Sequence, residues 1–399
     1  MRRILIIAAV IIALLGTGAF VYFRFFAGSS STIATTPSGT TNFPSANPSP
    51  SAGTPTDMPE TVPAAPTTVS ARLVKISAGP AVPGEAVVDQ GTASSSDVSV
   101  SYIERESGNV FSYLTRADTI TRISNRTLPG IQSAYWLPNA SSAFVQYLSG
   151  DDFSTINTYA LPASSDGSTQ GFFLPQDLAG IAVSSTSVLT LASGANGSVA
   201  SIEKTDGTHS SQIFTTPLSA VRVSFAGKGK YLAFSKPSAE LAGDAFLVDS
   251  AGDFSRVAGP LNGLVALPSP DGKWALVSYT SGSAMQMELV DTETGQTTPL
   301  PVATIADKCV WAADDSAAYC GIPENPPSAT YPDDWYQGAV HFSDRIWKID
   351  VASRYAELVL DFPKETNDTL DATALAVDPL GTELVFVNKN DGSLWGYQL

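Results

Sequence analysis

Beyond Ser70 the chain is written in short runs that alternate apolar with polar residues, as in Val98-Ser99-Val100-Ser101-Tyr102-Ile103 and Trp274-Ala275-Leu276-Val277. A period of two sends successive side chains to opposite faces of a strand, so these runs predict β-strands. No apolar i, i+3, i+4, i+7 pattern lasts three turns in this region, which argues against helices. The runs also repeat. Pro270-Asp271-Gly272-Lys273 opens the strand Trp274–Tyr279, which is followed by Met285–Asp291 and a turn at Thr294-Gly295. The same order begins 43 residues earlier at Gly227-Lys228-Gly229-Lys230 and 43 residues later at Ala313-Asp314-Asp315-Ser316. Pro138-Asn139-Ala140-Ser141 and Pro379-Leu380-Gly381-Thr382 open two further copies. Four antiparallel strands in about 43 residues have the dimension of one blade of a β-propeller.

The units delimit about seven blades, at residues 84–124, 131–171, 178–214, 219–258, 262–300, 303–360 and 370–399. The last lacks a fourth strand. Leu73-Val74-Lys75-Ile76-Ser77 resembles the fourth strand of the first blade, Ile120-Thr121-Arg122-Ile123-Ser124. Residues 70–77 are therefore expected to complete the last blade and close the ring, which removes two open sheet edges. The fold class is all-β: a seven-bladed propeller closed by an N-terminal strand, over residues 70–399.

Ser269-Pro270-Asp271-Gly272-Lys273 and Val290-Asp291-Thr292-Glu293-Thr294-Gly295 carry a turn code in which Pro presets φ, Asp caps the turn and Gly takes positive φ. These residues resemble the TolB-like, WD-like propeller repeat. The resemblance implies a β-propeller fold and no particular activity, because propellers serve binding, scaffolding and several enzymatic functions.

The first 69 residues have a different texture. Ile4–Phe23 form twenty residues without a charge, preceded by Arg2 and Arg3, with Tyr22, Phe23, Phe25 and Phe26 crowding the far end. As a helix they would rise about 30 Å, the thickness of a bilayer's hydrocarbon core. Residues 1–26 read as a single-pass, N-in anchor; a cleaved signal peptide is the competing reading. Residues 27–69 are dominated by Ser, Thr, Pro, Gly and Ala, too poor in apolar surface to offset chain entropy, and read as a disordered linker. The propeller is then expected outside the membrane, in the periplasm or at the cell surface.

Charge and chemistry narrow the functional classes. With 22 basic against 38 acidic residues, a formal net charge of −16, a nucleic-acid partner is excluded and neutral or cationic partners are favoured. Two histidines and two cysteines leave no His-rich or four-cysteine metal site, and no cofactor is expected. Cys309 and Cys320 lie equidistant from the turn at Asp314-Asp315, so they face each other across one hairpin. They read as a disulfide, or as two buried thiols. His341, in the strand-like Val340–Asp344, has no nucleophile elbow to serve. Asp333, Asp334 and Asp344 lack the spacing of a calcium loop.

Blade six carries about twenty extra residues between its second and third strands, including Tyr331, Asp333, Asp334, Trp335 and Tyr336. These five residues are the candidate contact for a protein or glycan ligand, or else the aromatics fold back to cover the ring. The main expectation is a non-catalytic binding or scaffolding module of the cell envelope. The alternative is a carboxylate-based hydrolase or lyase with its site in the central channel.

Overall fold

The structure, a computed structural model, describes residues 65–91, 97–124, 128–164 and 170–399. The expected anchor and nearly all of the linker lie outside the described residues. Among those described, no helix is long and apolar enough to cross a membrane.

Seven antiparallel sheets succeed one another along the chain. Their first strands are Ala86–Asp89, Ile131–Trp136, Leu178–Val183, Val221–Phe225, Val265–Pro268, Cys309–Trp311 and Ala372–Val377. The first strands of blades two and three, three and four, six and seven, and seven and one touch one another, which places the first strands at the centre of the ring. The chain is a seven-bladed β-propeller. Each of its seven apolar clusters fills one seam between adjacent blades, including the closing seam, where Val385, Val387 and Leu394 of blade seven pack with Val87, Val98 and Val100 of blade one. Strand alternation supplies these seams, since each blade presents one row of apolar side chains to either neighbour.

Blade seven is completed from the other end of the chain. Leu73–Lys75 pairs antiparallel with Leu394–Gln398, in the register Leu73↔Tyr397, Val74↔Gly396 and Lys75↔Trp395. Thr67 and Thr68, which composition assigns to the linker, add a fifth, outermost strand against Val74 and Lys75. A two-residue strand needs no apolar face, so hydropathy gives no sign of it.

The turn code works locally. Lys273 N donates to Asp271 Oδ1 at 2.7 Å and Trp274 N to Ser269 Oγ at 3.1 Å, while Gly272 sits at φ 77°. A Cβ on Gly272 would stand 2.1 Å from the carbonyl oxygen of Ala226, so the turns of blades four and five pack because that side chain is missing. Cys309 and Cys320 are directly paired in register and disulfide-bonded.

Antiparallel order puts the start of every first strand and every loop between second and third strands on one face of the ring. The blade-six insertion lies on that face. It contains one turn of helix, α1 (Asp333–Tyr336), between the strands Ala317–Pro323 and Asp344–Asp350. The third strand starts at Asp344, so residues 340–343, expected as strand, belong to the insertion.

Candidate functional site

Two residues that directly precede first strands of adjacent blades, Lys308 of blade six and Asp371 of blade seven, meet at the mouth of the ring. Asp344, at the root of the insertion, joins them, with Lys308 Nζ 2.8 Å from Asp344 Oδ2. All three side chains are completely buried. Lys308 Nζ also donates to the Ala372 carbonyl at 2.8 Å and lies 5.0 and 5.1 Å from the ring centroids of Trp335 and Phe342. An isolated buried ammonium is costly, and here two carboxylates, a carbonyl and two aromatic faces compensate it.

Asp371 is the hub. Its Oδ2 accepts from Trp335 Nε1 at 3.0 Å and from Phe342 N at 3.0 Å, while its Oδ1 accepts from Lys308. Asp344 is less well served. Its Oδ2 accepts from Ala372 N at 2.7 Å, but its Oδ1 has no partner among the described residues. Burial raises its carboxyl to about 6 against the pull of Lys308, and the neighbouring Asp371 charge adds to the rise.

Above this buried triad stand groups that reach solvent. His341 is half exposed, with Nδ1 4.0 Å from Asp371 Oδ2. Lys389 lies 4.3 Å over the Trp335 ring and donates to the Trp335 carbonyl; burial holds its ammonium below the usual lysine range. On the other side of α1, Arg222 grips Asp307 through two bonds of 2.7 and 2.9 Å, and Tyr336 donates its hydroxyl proton to Asp307 at 2.6 Å.

The insertion residues singled out from the sequence are thus largely enclosed. Tyr331 and Trp335 are buried, and Tyr331 packs on Phe342 with ring centroids 5.5 Å apart. Asp333 accepts from Ala239 N at 2.7 Å, tying the insertion to blade four, and Asp334 accepts from Thr330 N at 2.7 Å. Tyr336 alone among the three aromatics shows a sizeable surface, 39%. Sequence reasoning missed Lys308, Asp371 and Lys389. Its one available signal was that Lys308 and Asp371 each stand just before the first strand of a blade.

No family model and no curated protein sequence matches the chain. Solved structures do match it in fold. An oligogalacturonate lyase from Vibrio parahaemolyticus superposes with a TM-score of 0.56 at 8% identity, over 82% of this chain and 93% of that one. An oligogalacturonate lyase in complex with manganese gives 0.55 at 9% identity, over 84% and 95%. The β-propeller domain of the Trilobed protease from Pyrococcus furiosus gives 0.52 at 10%, over 79% and 95%. At such identities the likeness is one of fold.

These neighbours correct the expectation of a non-catalytic module. The two lyases are enzymes, and this chain's propeller matches more than nine-tenths of each. The fold by itself therefore gives no ground for a non-catalytic role. The manganese of the second lyase has no counterpart in the donor set here. Among the described residues no three His, Cys, Asp or Glu side chains stand close enough to hold a metal ion, and the ammonium of Lys308 fills the gap between Asp344 and Asp371.

Proposed function

We propose that this chain is a carbohydrate-active lyase that works at the insertion-bearing mouth of the propeller, on an oligosaccharide containing a uronic acid. One observation carries the reading: a half-exposed imidazole, His341, backed by a fully buried carboxylate, Asp371. Asp371 stands behind the Nδ1 side of the ring, and Lys308 in turn holds Asp371 in place. Contacts of about 4 Å in an unliganded site tighten when substrate arrives. His341 removes the proton from the carbon next to the uronate carboxyl group. The electron pair forms a carbon–carbon double bond, the bond to the departing sugar oxygen breaks, and that oxygen takes a proton from water, while His341 later returns its own proton to solvent. Charge that builds on the carboxyl group is met by Lys389. Asp344 and Asp371 do not form the accessible carboxylate pair of a glycosidase, because both are fully buried and share one lysine. The membrane-anchored, extracytoplasmic placement read from residues 1–26 belongs to this proposal, since polymeric glycans are met outside the membrane.

The full chain is incubated with oligogalacturonate and other uronate oligosaccharides, and the ultraviolet absorbance of the unsaturated product is followed beside a count of new reducing ends. Wild type forms the double bond. His341→Gln loses about 100-fold or more in kcat, the usual contribution of a positioned base. Reducing ends without unsaturation, or full activity in His341→Gln, overturn the reading.

A further inference from the structure

On the face opposite the insertion, the closing seam between blades seven and one opens into a cleft of about 410 Å³. Three distant stretches of chain build it. Arg72 and Val74 come from the N-terminal strand region, Glu383 and Gln398 from blade seven, and Val98 and Arg116 from blade one. We propose that this cleft binds a neutral sugar of one or two rings, at a site separate from the catalytic mouth.

The lining has the two qualities that a sugar needs. Planar polar groups that take or give paired hydrogen bonds stand beside apolar surface from Val74, Val98 and Leu380. Arg72 is pre-set: its Nε donates to the Gln398 carbonyl at 2.7 Å and its guanidinium lies 4.7 Å over the Tyr397 ring. Its terminal amino groups meet no partner among the described residues. Glu383 likewise has no hydrogen-bond partner for its carboxyl group among them. Burial, with the charges of Asp378 and Asp97, raises that group to about 7 against the pull of Arg72, so at neutral pH it can both donate and accept. The guanidinium groups of Arg72 and Arg116 share the lining with the carboxyl groups of Asp89 and Glu383, so acidic and basic side chains are equal in number there. The volume lies at the low end of the roughly 300–1,000 Å³ of small-molecule pockets.

Since the walls come together only when Leu73–Lys75 closes the ring, a bound sugar stabilises the closed form by mass action. The site does not depend on His341, so it stands or falls apart from the lyase reading. The test is thermal unfolding of the full chain with maltose, cellobiose or diacetylchitobiose, each titrated to saturation. At least one raises the unfolding temperature in a saturable way, undiminished in His341→Gln. Arg72→Ala and Glu383→Ala each weaken the apparent affinity about tenfold or more. The proposal is overturned if none of the three sugars shifts unfolding, if both variants bind as wild type does, or if only a charged uronate disaccharide binds.

Discussion

Replacing Lys308 with Met removes the charge that holds the mouth together while nearly keeping the side chain's volume. Lys308 bridges two carboxylates, and all three side chains are completely buried. Removing one member of a buried ionic group leaves uncompensated charge and costs about 3–5 kcal/mol. The remaining carboxylates lie too close to stay ionised together, so one must take up a proton. Asp344 is that one, because its carboxyl already stands at about 6 with Lys308 present. A raised folded-state pKa means that the protonated form is favoured in the fold, so its stabilisation is complete below about pH 4 and is lost as pH rises through the folded value. The deficit of Lys308→Met is therefore modest at pH 4 and reaches its full size at pH 8. Urea unfolding of wild type and variant at both pH values measures it, with tryptophan fluorescence as the probe, since Trp335 Nε1 donates to Asp371. Adding Asp344→Asn and Asp371→Asn restores most of the loss. A deficit under about 1 kcal/mol at pH 8, or one that does not change with pH, refutes the assignment of this triad as a buried, mutually compensating group.

Two further outcomes are expected. Asp315, in a blade-six turn, is held at about 6 by burial and by its hydrogen bond with Asp271, and its Oδ1 has no partner among the described residues. Its stabilisation is present below about pH 4 and is lost as pH rises through 6, so Asp315→Asn, which stays neutral and suits the residue's φ of 59°, is more stable than wild type by about 1–2 kcal/mol at pH 8 and equal to it at pH 4; equal urea midpoints at pH 8 contradict this. Trp335→Ala empties a buried site at the centre of the insertion and costs about 3–5 kcal/mol, whereas Tyr336→Phe loses only half-exposed hydrogen bonds to Asp307 and Arg222, at about 1 kcal/mol. Equal unfolding midpoints for the two variants would show that Trp335 does not anchor the cover.

The ring was legible where its chemistry is local. Ser269, Asp271 and Gly272 satisfy one another within five residues, so the turn that spaces the blades is visible as a string of letters. The closing strand was legible too, because Leu73-Val74-Lys75 repeats the texture of a fourth strand. The mouth was not. Lys308, Asp344 and Asp371 are scattered over three elements, and only the packing of blade six on blade seven makes them neighbours. Residues 340–343 illustrate the same limit. Their alternation reads as strand, but Phe342 N donates to Asp371 and its ring packs against Trp335, so tertiary partners take the groups a strand would use. The function was read wrongly for a related reason: chemistry resides in the site, and the residues of this one come together only in the folded ring.

The pairing of Leu73 with Tyr397 also sets a timetable for biosynthesis. The two positions are 324 residues apart, and at about 5–20 residues per second a ribosome needs on the order of tens of seconds to make the span between them. Through that interval the segment around Leu73, wholly enclosed in the finished ring, has no partner strand to dock on. Blades one to six can assemble as they emerge, but the ring cannot lock until Leu394–Gln398 has left the exit tunnel. A nascent chain of this protein therefore carries an open strand edge throughout that span, and a truncation that removed Leu394–Gln398 would leave that edge open for good.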